Sequence, residues 1–122
     1  MASEGSRGGG IMGEAELGAV GRVLEELHVL MGDKLTFEAA SVVLAVMREE
    51  DLTPETYCQR LKAIPPAVTL GTLKALTGEP NNWRQHRQII WWRKGKDGAD
   101  TIRLASRGRS FKARLRDAIR GQ

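Results

Sequence analysis

The chemistry open to this chain lies mainly in its cations. Between Arg84 and Arg120 stand Arg84, Arg87, Arg93, Lys94, Lys96, Arg103, Arg107, Arg109, Lys112, Arg114, Arg116 and Arg120, opposed only by Asp97, Asp100 and Asp117. Guanidinium and ammonium groups at that density suit a polyanion, above all a phosphate backbone. The other half has the opposite bias. Met1 to Leu61 holds 5 basic and 11 acidic residues, net −6, whereas Lys62 to Gln122 holds 14 and 4, net +10. Chance clustering on a solvated surface is the plain alternative. An asymmetry this large points instead to one half facing a polyanion and the other doing something else.

Other reactive groups are sparse. His28, His86 and Cys58 lie far apart and lack metal-ligand spacing, so neither a metal nor another cofactor is expected. Cys58, near Arg60 and Lys62, has neighbours that suit a redox thiol, although a lone cysteine inside a helix is more often packed and inert. Glu25-Glu26 and Glu49-Glu50 read as solvated helix surface rather than a catalytic pair. No glycine-rich phosphate loop follows a strand. An enzyme is not expected. With one cysteine, no signal-peptide pattern and no apolar run of membrane length, the expected setting is the cytoplasm, away from membranes.

Elements must position those cations. Residues 1–12, Gly- and Ser-rich from Met1 to Gly10, read as a disordered tail. Residues 13–34 form an N-terminal helical unit from Glu14 to Met31. In it Leu17, Val20, Leu24, Leu27 and Met31 are spaced 3, 4, 3, 4, a heptad stripe widened by Val23 and Leu30. With Phe111, Leu115 and Ile119, this stripe is either a subunit seam or is satisfied within one chain. A domain over residues 35–122 follows. Thr36 caps a helix from Phe37 to about Glu50, apolar nearly all round from Val42 to Met47 and therefore central. Thr53-Pro54-Glu55 supplies a cap, a first-turn proline and an acid at the positive dipole end for a helix to Leu61 or Lys62. The turn Ala63-Ile64-Pro65-Pro66 leads to a helix from Ala67 to Thr77, stopped by Gly78 and Pro80. Strands at Gln88–Arg93 and Thr101–Leu104 flank a turn at Lys94–Asp100, and Ser106 caps a last helix.

This order makes the expected fold mainly α with a β-hairpin wing, an α+β winged helix-turn-helix. Leu52–Leu61 supplies the first helix of the pair, and Ile64–Leu76 the turn and the second. Thr101-Ile102-Arg103-Leu104-Ala105-Ser106-Arg107-Gly108-Arg109 then runs as a wing strand into the next helix. On these residues the chain resembles the MarR-type winged-helix regulators, whose pattern there is close to Val-x-Leu-Thr-x-x-Gly-Arg. The resemblance spans Leu35 to about Ile119. It implies a homodimer joined by the N- and C-terminal helices, the second helix of the pair in the major groove, and the wing on the minor groove or backbone. The chain departs from the pattern in several places. Ala105 stands where the family has a capping Thr, and the Asp-x-Arg of the wing tip is only loosely echoed between Arg93 and Arg103. The loop from Gly78 to Gln88 is longer and more basic, and the last helix is short for a dimerisation arm.

The expected function is binding of double-stranded DNA in transcription regulation. Arg84, Arg87, Arg93, Lys94, Lys96 and Arg103 are expected to hold backbone or minor groove. Thr69, Thr72 and Lys74 are expected to face the major groove, and Arg107 and Arg109 to reach flanking phosphates. The second helix of the pair has few base-reading side chains, so affinity should come mainly from wing and loop. Two alternatives stay open. One is a winged-helix adaptor or inhibitor acting on a nucleic-acid enzyme. The other is an RNA or single-strand binder working through Trp83 in the loop Asn81–Arg87. Trp91 and Trp92, adjacent on a strand, point to opposite faces. Packing of two of the three tryptophans is the plainer expectation.

Overall fold

The computed structural model describes residues 13–77 and 88–120. The expected disordered tail at residues 1–12, and the loop carrying Trp83, Arg84, His86 and Arg87, lie outside the described residues. Among the described residues are five α-helices and one antiparallel pair of strands. In chain order they are α1 (Glu14–Met31), α2 (Phe37–Arg48), α3 (Pro54–Arg60), α4 (Pro66–Leu76), β1 (Ile90–Arg93), β2 (Thr101–Leu104) and α5 (Ser106–Arg120). A single 3-10 turn, Gly32–Lys34, separates α1 from α2.

Local chemistry sets most helix ends. The Thr36 hydroxyl accepts from Ala39 N–H at 3.0 Å and opens α2. The Thr53 hydroxyl accepts from Thr56 N–H at 3.2 Å, with Pro54 in the first turn of α3. Gly13 N–H donates to Glu16 Oε1 at 2.9 Å at the start of α1. The last helix departs from expectation: Ser106 is already its first residue. Ala105 holds the preceding position, and its carbonyl accepts from Arg109 N–H at 2.9 Å. Helix α2 stops at Arg48, short of the expected Glu50, because the acids that follow are drawn to other elements.

The core sits between α2, the two strands and the inner faces of α4 and α5. Val42, Val43, Val46, Tyr57, Leu73, Ile90, Ile102 and Phe111 are fully buried. Helix α1 shares this core through its Leu27, Leu30 and Met31, and it packs along α5. Arg22 Nε donates to the Ala118 carbonyl at 2.8 Å across that contact. Phe111 and Leu115, offered as helpers of a subunit seam, are instead buried within the chain.

The strands pair Ile90 with Leu104, Trp91 with Arg103, Trp92 with Ile102 and Arg93 with Thr101. The two-residue period puts Ile90, Trp92, Ile102 and Leu104 inward, and Trp91, Arg93, Thr101 and Arg103 outward. Strand β1 is shorter than expected because Ile89 anchors neighbouring elements. Its N–H donates to the Leu76 carbonyl, and its carbonyl accepts from Ala105 N–H, each at 2.9 Å. A bridge between Leu52 and Ile102, unforeseen in the sequence, ties the hairpin to the segment after α2. Asp51 N–H donates to the Ile102 carbonyl at 2.7 Å, and Ile102 N–H to the Leu52 carbonyl at 3.0 Å. To make this junction Asp51 adopts φ +67°, a left-handed conformation that Asp tolerates better than most side chains.

Candidate nucleic-acid interface

The expected contact residues divide into those the fold leaves outward and those it uses internally. Arg93 points outward from β1, and Lys96 stands in the turn beyond it, both exposed and without a hydrogen bond or ion pair to the described residues. Lys94 is 81% exposed at its side chain but shares a carboxylate, its Nζ lying 3.2 Å from Asp100 Oδ2. Lys74 is exposed on α4. Arg84 and Arg87 lie outside the described residues.

Five expected contacts are buried or otherwise occupied. Thr69 was expected at the major groove, but it is 0% exposed and its hydroxyl meets no partner among the described residues. A groove cannot reach it. The Thr72 hydroxyl turns back to donate to the Val68 carbonyl at 2.8 Å. Arg103 makes a two-pronged pair with Asp51, Nε to Oδ1 and Nη2 to Oδ2, each at 2.9 Å. Arg109 Nη2 meets Glu50 Oε1 at 3.2 Å. Arg107, half-buried, donates from Nη2 to the Leu30 carbonyl at 3.1 Å. Arg103 and Arg109 therefore act first as internal ties.

Glu49, as expected, and Asp51 are exposed and Glu50 is half-buried, yet all three are engaged by arginines. Glu49 holds Arg60 at 2.7 Å. Glu50 accepts from both Leu104 N–H at 2.9 Å and Arg109. Asp51 holds Arg103, and the guanidinium hydrogen bond keeps its carboxyl below the ordinary value of 3.8. Glu26 is engaged too, by Arg114 at 3.1 Å. Tyr57 backs the turn from below, its hydroxyl donating to the Glu49 carbonyl at 2.7 Å, and burial pushes its pKa up to about 12.

The hairpin tip is braced by Asp100. Trp92 Nε1 donates to Asp100 Oδ2 at 2.8 Å, which keeps the indole half-buried and leaves Trp91, 51% exposed, as the outward aromatic. The Trp92 hydrogen bond, ahead of Lys94, holds the Asp100 carboxyl below 3.8. A carboxyl depressed on folding stabilises the fold above its unfolded value, and loses that contribution as pH falls through the lower folded value. The expected result is an acid titration of the Trp92 indole N–H resonance with its midpoint below 3.8, absent in Asp100→Ala. A midpoint above 3.8 would count against this brace.

Between the C-terminal half of α4 and β1 opens a cleft of about 430 Å³, bordered by Lys74, Thr77, Gln88, Trp91, Trp92 and Lys94. It brings a cation of α4 and a cation of the hairpin to one surface. The outward face of α4 beside it carries Ala67, Val68 and Gly71, with Lys74 its one charge. Cys58 stands aside, half-buried with Sγ 3.7 Å from the Pro66 carbonyl, and burial raises its thiol pKa, which suits packing better than reactivity. Among the described residues no group of three His, Cys, Asp or Glu side chains is placed to hold a metal, and no helix is long and apolar enough to cross a membrane.

Searches against protein families, curated proteins and solved structures find no match to this chain.

Proposed function

We propose that the chain is a winged helix-turn-helix domain, similar to the MarR-type regulators, that binds double-stranded DNA and acts in transcription regulation. In this reading α3 and α4 are the helix pair, and the β1–β2 hairpin is the wing. One observation carries it. The acidic segment after α2 claims Arg103 and Arg109, whereas Arg93 and Lys96 at the hairpin end are claimed by no described side chain. Unpaired cations on a projecting hairpin suit phosphate, not packing. With Thr69 withdrawn and Thr72 bonded to its own helix, base reading by α4 is weak, and most affinity is electrostatic. Titration of a duplex of mixed sequence at several salt concentrations tests the reading. Steeply salt-dependent binding supports it, and no binding at low salt overturns it. Selection from a random duplex pool then reports any sequence preference.

A second copy of the chain is the proposed occupant of an apolar groove lined by α1, α2 and α5. Val20 and Leu24 of α1, Phe37 of α2 and Ile119 of α5 are exposed around this groove of about 620 Å³, and Leu17 is exposed on the same helix as Val20 and Leu24. The heptad stripe thus splits: its C-terminal half packs at home, and its N-terminal half is left outward. Val20, Val23 and Leu24 of α1 line the groove, and Leu17 on the same helix is also exposed, so a second copy can lay its own α1 stripe there in a two-fold contact. Sedimentation at micromolar concentration is expected to give a dimer, and Leu24→Glu a monomer of unchanged helix content. A monomeric native chain would remove the dimer and leave the hairpin reading intact.

The adaptor reading draws on one specific observation, the small and apolar outward face of α4 at Ala67, Val68 and Gly71. A protein partner that stays bound at high salt, with no duplex binding at low salt, would favour it.

A further inference from the structure

We infer that the cleft between α4 and β1 receives one unpaired nucleobase of the bound nucleic acid, stacked on Trp91. The inference rests on the duplex-binding reading and specifies the form of the ligand. Trp91 is 51% exposed, on the outward face of a strand whose inner face is packed. About half of this indole is open to solvent beside the cleft, where a π surface can meet a ligand. Its neighbour Trp92, half-buried on the inward face and held by Asp100, is the less accessible of the two.

The surroundings of Trp91 suit a nucleotide rather than an apolar ligand. Lys74 and Lys94 border the same cleft, and so do the Gln88 amide and the Thr77 hydroxyl. Lys94 is shared with Asp100, so Lys74 is the stronger phosphate contact. The Thr77 hydroxyl donates to the Lys74 carbonyl at 2.6 Å and keeps lone pairs for accepting. Gln88 offers both donor and acceptor to a base edge. The cleft, at about 430 Å³, is within the range of small-ligand sites. A base inside a duplex has both faces covered by its neighbours and cannot stack on Trp91. The ligand is therefore a duplex with an unpaired base, at a frayed end, a mismatch or a single-strand junction, and every base has the π face that this contact needs.

The test compares a blunt duplex with the same duplex bearing an unpaired overhang, for the native chain, Trp91→Ala and Trp91→Phe. The native chain should bind the overhang duplex about tenfold more tightly, the typical effect of one base stacked on an aromatic side chain. Trp91→Ala should abolish this preference and leave blunt-duplex affinity unchanged, and Trp91→Phe should retain most of it. Equal native affinities, a preference surviving in Trp91→Ala, or an equal loss on both duplexes would overturn the inference while duplex binding stands. Failure to bind either duplex would overturn both readings.

Discussion

Replacing Arg93, Lys94 and Lys96 together with alanine should weaken binding to every duplex sequence by about two orders of magnitude near physiological salt. Each phosphate contact adds about 0.9 to the slope of log affinity against log salt concentration, and the loss follows from three such contacts. The slope itself should fall by about 0.9 per lost contact, with little change in sequence preference. The fold should persist, because Asp100 keeps its Trp92 partner when Lys94 is removed, and Arg93 and Lys96 make no hydrogen bond or ion pair among the described residues. Salt-dependent titration, with circular dichroism as a check on folding, measures the effect. Unchanged affinity and slope in a folded triple variant would mean that the hairpin holds no phosphate, and the basic half would then need a protein partner.

Gly108→Ala should lower stability by about 3 kcal/mol, at the upper end of the cost of overpacking. Gly108 is buried in the first turn of α5. A Cβ there would collide with the Ile89 carbonyl oxygen and sit 2.9 Å from Leu104 Cδ2. The carbonyl cannot retreat without losing its hydrogen bond from Ala105 N–H, and Ile89 is also tied to Leu76. Relief therefore means shifting the hairpin or the helix. Thermal unfolding is the measurement, with a fall in Tm of roughly 15 °C expected for a domain of this size. Gly71→Ala is the control. Nothing lies within 4 Å of its Cβ position, it is exposed within α4, and the exchange should be neutral or stabilising by about 0.5 to 1 kcal/mol. Equal stability of Gly108→Ala and the native chain would show that α5 packs less closely on Ile89 than described.

The helices were legible because their signals are local. Thr36, Thr53 and Pro54 mark starts through chemistry that spans a single turn, and α1 runs from Glu14 to Met31 as its spacing predicts. The hairpin was legible in the aromatic run at Ile90–Trp92 and the Asp97-Gly98 turn, where Gly98 takes φ +88°. The burial of Thr69 was not legible, because α4 is apolar on most sides and its spacing does not say which face turns inward. The pairing of the arginines was hidden for another reason. Arg103 meets Asp51 across 52 positions and Arg109 meets Glu50 across 59, so no local pattern links the partners. A count of cations thus overstated how many stand free. The exposed half of the α1 stripe shows the same limit, since a heptad marks an apolar face without saying what covers it.

The bridge at Leu52 and Ile102 also makes the hairpin depend on a distant part of the chain. A two-stranded hairpin alone is marginal in water, and this one gains its third neighbour only from a segment about half the chain away. Closing so long a loop carries an entropic cost before any contact repays it. The hairpin's placement thus depends on Asp51 and Leu52, and the exposed cations at its end inherit their geometry from an acidic turn with which they make no hydrogen bond or ion pair. A lesion in that turn would reach the hairpin end proposed to hold phosphate as lost organisation, with every cation still in place.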